Sequence, residues 1–219
     1  MKIIITTVVL LLSLTSFSKK EKVDFEGIIS YKKTVTRLSN NKKAISYEDY
    51  ANEELGSNSD FYYKSGNHLW EKFPGEGKEL FKYKSKYLYV KKSKDFVNWR
   101  KNNVRKTNEE ITGIKIISET DTILGYECQV LEVKSRLFPL SNGTKMYRKF
   151  YFNKDKFHIN YEYLKNYKIN SQYIIFKMIQ SLPLRIYIEL QGVVVDYEAI
   201  DVQFKKLDDI LFKTPPSNN

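Results

Sequence analysis

Residues 119–133 read ETDTILGYECQVLEV, two apolar runs that meet at a glycine and carry the chain's single cysteine. Alternate side chains of a strand share a face, so Tyr126, Cys128 and Val130 point one way and Leu131 and Val133 the other. Apolar residues on both sides of the strand predict that both faces of the sheet are at least partly covered. The reading is a β-hairpin that turns at Thr120-Asp121-Thr122, with Gly125 letting the strand bend or bulge. Cys128 then sits in mid-strand as a small buried hydrophobe. A nucleophilic thiol needs a base and a setting that lowers its pKa. No such setting accompanies Cys128, and His68 and His158 lie far off in sequence.

Working outward, the same grammar recurs. FEGIISYKKTVT (25–36) reads as a first strand, and DFYYKSGNHLWEKF (60–73) as a hairpin turning at Ser65-Gly66-Asn67. ELFKYKSKYLYVKK (79–92) forms another, turning near Lys84-Ser85-Lys86. MYRKFYFN (146–153) is a strand, and RIYIELQGVVVDYEAIDVQFKK (185–206) gives two closing strands around Gln191-Gly192. A short helix is expected within 39–60, and a second from Asn170 or Ser171 to Pro183. The stretch 92–110 has no clean period and reads as loop with a helical turn. Asn142-Gly143-Thr144 matches a glycosylation sequon but reads as a turn, and LDDILFKTPPSNN as a polar closing tail.

Hairpins follow one another with no βαβ rhythm, and 17 tyrosines and 13 phenylalanines favour a pleated, half-buried surface. The expected fold is mainly β (α+β): a single strongly curved antiparallel sheet, a half-barrel, with one or two helices on the concave side. A two-sheet sandwich is the alternative.

The chain opens MKIIITTVVLLLSLTSFS. A cationic Lys2, an apolar run from Ile3 to Leu14, and small Ser16 and Ser18 before a cut make a secretory signal peptide pattern. The run is shorter than the roughly 20 residues a membrane span needs. The expected organisation is a signal peptide at 1–18 and one β domain at 19–219, exported to the periplasm or the extracellular space and peripheral to a membrane at most. One cysteine excludes an internal disulfide, so stability must come from apolar burial.

The formal net charge of +11 is concentrated in stretches such as KELFKYKSKYLYVKKSK, where lysines interleave with aromatics. That field attracts polyanions. Export argues against nucleic acid and for an anionic headgroup or glycan at a basic rim. No run has calcium-loop spacing, no His/Cys cluster has zinc spacing, and GxSxG, HExxH and phosphate-binding glycine loops are missing. No catalytic residue, metal or cofactor is expected.

TDTILGYECQVLEV resembles the T-x-x-I-L-G-Y-x-C hairpin of exported GLPGLI-type proteins and related lipoprotein-carrier-like domains. FEGIISYKKTV is similar to their opening strand, DFYYKSGNHLWEKF to their Y-Y-x-K-G hairpin, and FKKLDDILFKTPP to their L-D-D-x-L-F close. SLPLRIYIEL keeps the Leu182-Pro183-Leu184 core of the name-giving segment without its glycines. These pieces span residues 25–216 in order. The resemblance implies an exported Bacteroidota-type protein with a curved, lipoprotein-carrier-like (LolA-like) sheet, and it supplies no catalytic residues.

The functional expectation is a non-enzymatic cell-envelope binding protein that holds a lipid, a lipoprotein acyl chain or another apolar ligand in the hollow of the sheet. Alternation nominates Phe61, Tyr63, Trp70, Tyr87, Tyr89, Tyr126 and Phe150 as its lining. A structural or protein-interaction module is the alternative, with a filled hollow as its signature. A hydrolase built on His68 or His158 is a third reading.

Overall fold

The computed structural model describes residues 22–74, 77–92, 99–138 and 143–215. The expected signal segment and Asn142 lie outside them. Among the described residues one mixed-length antiparallel sheet dominates. Its strands are β1 (Glu26–Arg37), β2 (Asn58–Lys64), β3 (Asn67–Phe73), β4 (Gly77–Phe81), β5 (Tyr87–Lys91), β6 (Arg100–Asn103), β7 (Glu109–Ile123), β8 (Tyr126–Leu137), β9 (Thr144–Phe152), β10 (Pro183–Leu190) and β11 (Val193–Phe204). Their order across the sheet is β6-β5-β4-β3-β2-β1-β11-β10-β9-β8-β7. β1 is central because it pairs with both β2 and β11.

This order explains the strong curvature. β6 and β7 are opposite edges of the sheet, yet only residues 104–108 join them. Ten strand spacings would separate flat edges by about 48 Å. Six residue steps reach at most about 22 Å. The sheet must therefore curl until its edges approach, and it stops short of pairing them.

The hairpin tips follow their sequence signals where glycine occupies the second position. Ser65-Gly66 and Gln191-Gly192 both have two consecutive positive φ angles, the geometry of tight hairpin turns. The hairpin at 113–135 departs from expectation. β7 continues through Thr120–Thr122, and Leu124-Gly125 makes the turn with φ of 52° and 80°. A register shift between Ile117 and Thr120 bulges out Ser118 and Glu119, while Thr120, Asp121 and Thr122 pair with Gln129, Cys128 and Glu127. The stretch expected as loop before Glu109 contains β6, whose four residues are all exposed. An edge strand with no buried side leaves no apolar alternation to read.

Two helices cover the concave face. In α1 (Lys42–Glu54), Asn41 caps the start by accepting from the Ala44 N–H at 2.8 Å. Ala44, Tyr47, Ala51 and Leu55 fall on one stripe, and all four join the main core. α2 (Gln172–Ile179) buries Ile175, Phe176 and Ile179. The convex face has its own small cluster of Ile28, Leu69, Leu80 and Tyr89, with Trp99 packed against it. Leu207 and Phe212 seal it, so the closing segment is a packed 3₁₀ turn (Asp209–Phe212) and not merely a polar tail. No helix among the described residues is long and apolar enough to cross a membrane.

Candidate functional site

Cross-strand neighbours share a face, so the register identifies what looks into the hollow. One concave row runs Leu131, Phe150, Ile186, Tyr197, Lys33, and the next runs Val133, Arg148, Ile188, Val195, Val35. On the other wing the rows are Glu79, Trp70, Phe61, Ile29 and Lys72, Ser59, Tyr31, Ala199. Between these rows and the two helices lies a cavity of about 340 Å³. Glu79 on β4 and Leu137 on β8 both border it, although those strands are seven places apart in the sheet. Tyr47, Tyr50 and Leu55 close it from the α1 side, and Gln172 and Phe176 from the α2 side.

Aromatic rings wall the β3 wing. Trp70 packs edge-on against Phe61 at 5.8 Å and against Tyr197 at 5.5 Å. His68 stacks between Phe61 (5.3 Å) and Phe81 (5.2 Å), with Tyr167 edge-on at 5.1 Å. Burial among these rings drives the His68 imidazole down to about 3, so it is neutral at ordinary pH. The Tyr31 hydroxyl donates to the Pro183 carbonyl at 2.5 Å, tying β1 to the start of β10.

Polar groups occur at two places. On the β9 wing, Arg148 and Glu109 form an ion pair that is 4% and 0% exposed, and Arg148 also donates to the Asn170 carbonyl at 3.2 Å. The Arg148 Nε and the second Glu109 oxygen have no partner among the described residues. On the β3 wing, Lys72 donates to Glu79 at 2.5 Å. Beside it stand Lys33, whose ammonium donates to the Ala51 carbonyl near the end of α1, and Ser59, directly opposite Lys72 in the register. Burial, then the charge of Lys72, pulls the Lys33 ammonium down to about 8.

Of the residues nominated from sequence, Phe61, Trp70 and Phe150 border the cavity. Tyr63 faces the hollow but is fully buried in the packed core. Tyr126 packs edge-on against Phe157 at 4.9 Å and is not on the cavity wall. Tyr89 and Tyr87 need correction. Tyr89 pairs with Leu80, whose side chain belongs to the convex cluster, and Tyr87 shares its parity. The alternation of β5 runs one residue out of phase with that expectation, because Leu88 and not the tyrosines faces the main core. Sequence reading also missed Tyr31, Tyr47, Tyr197 and Arg148, which reach the wall from four different elements.

His158 lies outside the strands, its Nδ1 3.1 Å from the Gln180 carbonyl, in a bridge to Ser181. Cys128 is fully buried, with burial pushing its thiol up to about 11. Among the described residues no three His, Cys, Asp or Glu side chains are grouped to hold a metal.

No protein-family model and no curated protein matches this chain. The resemblance to the GLPGLI group therefore rests on the quoted residues alone. Among solved structures, the Mycobacterium tuberculosis lipoprotein LppX is similar with a TM-score of 0.37 and 9% identity, over 84% of this chain and 89% of that one. LprF from Mycobacterium bovis gives 0.31 and 10% identity, over 80% and 86%. At these values the likeness bears on neither ligand nor activity.

Proposed function

We propose that this protein is a non-catalytic binding protein that encloses an apolar ligand, such as a lipid or an acyl chain, between the concave sheet face and helices α1 and α2. The observation that carries this reading is the 340 Å³ cavity, walled by Phe61, Trp70, Phe150, Ile186 and Ile188. Its volume falls within the range of small-molecule sites, which are concave and mostly apolar with few polar groups. A filled hollow would have favoured the interaction-module reading.

The chemistry of the remaining candidates supports a non-catalytic role. The His68 imidazole is stripped of water by three rings, and Cys128 has a raised thiol pKa, opposite to what a nucleophile needs. Export to the envelope belongs to the same proposal, resting on the apolar run Ile3–Leu14 and the serines that follow it.

Native mass spectrometry of the protein as purified, followed by titration with a fluorescent fatty-acyl probe, tests the reading. The expected result is a co-purifying apolar adduct, or saturable uptake of one probe per chain. A protein that carries nothing and takes up nothing overturns it.

A further inference from the structure

The β3 wing of the cavity holds more hydrogen-bond donors and more positive charge than its own residues can satisfy. Lys33 is 8% exposed and, among the described residues, has no carboxylate partner, only the Ala51 carbonyl. Its neighbour Lys72 shares that space, and its one carboxylate partner among the described residues is Glu79. Two ammonium groups, Lys33 buried and Lys72 half-buried, therefore share a single carboxylate among the described residues. The Ser59 hydroxyl and the Trp70 indole N–H are both buried without a partner among the described residues. All four belong to adjoining concave positions of β1, β2 and β3, and Lys72 and Trp70 border the cavity itself.

Buried donors left unpaired and like charges held close in a dry site are each destabilising. A fold retains such a group where something from outside completes it. What completes two ammonium groups, an indole N–H and a hydroxyl is an anionic oxygen group, which accepts several charge-assisted hydrogen bonds at once. The rest of the cavity wall demands an apolar body attached to it.

We propose that the ligand of the cavity is an anionic amphiphile, whose carboxylate or phosphate head sits at Lys33, Ser59, Trp70 and Lys72 while its chain lies along Phe61, Tyr197 and Ile186. This inference rests on the cavity being a binding site, and it moves the head from the basic rim expected from composition to a buried cluster inside the hollow. The Arg148–Glu109 pair on the opposite wing is internally neutralised and does not compete for the anion. One ligand orientation follows, head towards β3 and tail towards β9.

The test compares dodecanoate, dodecyl phosphate and dodecanol on the full chain by calorimetric titration at neutral pH, with inorganic phosphate alone as a fourth probe. Charge-assisted hydrogen bonds predict that both anionic probes bind at least about tenfold more tightly than dodecanol. Lys33→Met, which leaves the Lys72–Glu79 pair intact, should erase most of that preference. Ser59→Ala and Trp70→Phe should each reduce it about threefold. Equal binding of all three amphiphiles to the wild-type chain overturns the head site while leaving the apolar cavity standing, and this comparison needs no variant to fold. Inorganic phosphate binding as tightly as dodecyl phosphate assigns the cluster to a free anion and overturns the amphiphile. Binding of none overturns both readings together.

Discussion

The indole of Trp70 meets the ring of Tyr197 edge-on, centroids 5.5 Å apart, although β3 and β11 stand three places apart in the sheet. Laid flat, three strand spacings would separate them by about 14 Å. Contact across that gap brings the two wings of the sheet around one hollow. Trp70→Ala should therefore cost about 3 kcal/mol, the low end for such truncations because the ring already borders a cavity. Trp70→Phe keeps a ring there and should cost clearly less. Urea titration measures both, and a Trp70→Ala protein as stable as wild type would show that this contact does not hold the bend.

The Arg148–Glu109 pair links β9 to the start of β7 from inside the hollow. Burial alone pulls the Arg148 guanidinium down, and Glu109 offsets part of that effect. Removing either partner strands a charge away from water, so Arg148→Met or Glu109→Gln alone should lose about 3–5 kcal/mol. The double variant Arg148→Met with Glu109→Gln leaves no charge behind and should recover most of the loss. Strictly additive losses in thermal unfolding would mean that the two groups are not coupled.

The hairpins were legible because their signals are local. Glycine at 66 and 192, flanked by alternating aromatics and valines, fixes turn and partner within a few residues. The parity of β5 was not, since Tyr87, Leu88 and Tyr89 are all apolar enough to face either way. The central seam between β1 and β11 joins residues more than 150 positions apart, and nothing in either strand names the other. The cluster of Lys33, Ser59, Lys72 and Trp70 was hidden for the same reason. Each looks like an ordinary member of its own lysine-rich or aromatic strand, and only the register places them together.

Gly27 lies on that seam, opposite Phe204. A side-chain Cβ there would fall 2.0 Å from the Gln203 carbonyl oxygen, a backbone atom that cannot step aside. Gly27→Ala should force β1 and β11 apart and cost about 1–3 kcal/mol. Gly113 gives the contrast, because its nearest would-be neighbour is the Lys134 Cβ at 3.8 Å. Gly113→Ala should be neutral within about 0.5 kcal/mol. Equal effects in chemical denaturation would contradict the close approach of the two central strands.

His68 should give the protein an acid-labile core. Its pKa falls from 6.5 to about 3 on folding, with desolvation as the cause, and the faces around it are the rings of Phe61, Phe81 and Tyr167. Between those values the unfolded chain binds a proton that the folded chain refuses, so stability falls as pH drops from 6.5 towards 3. The slope from this one group approaches about 1.4 kcal/mol per pH unit. His68→Phe keeps the stack and removes the proton site. Stability profiles of the two proteins should run parallel above pH 7 and diverge below pH 6, with wild type losing more. Profiles that stay parallel to pH 4 would show that the imidazole is hydrated.

Cys128 should be chemically silent in the folded protein. Its Sγ lies 3.4 Å from the Tyr126 carbonyl, and burial, then the charge of Asp121, pushes the thiol up to about 11. At pH 8 a thiol with that pKa is ionised to about one part in a thousand, and the thiolate is the reactive form. An aromatic disulfide reagent should therefore label no thiol over an hour in native buffer and one per chain in concentrated denaturant. Addition of denaturant in steps should release the reactivity together with the loss of the sheet's circular-dichroism signal, because Cys128 lies on β8 opposite Asp121 of β7 and is packed in the main core. Labelling that precedes that loss would mean the β7–β8 hairpin opens by itself, as an edge pair can when it is less stable than the sheet behind it.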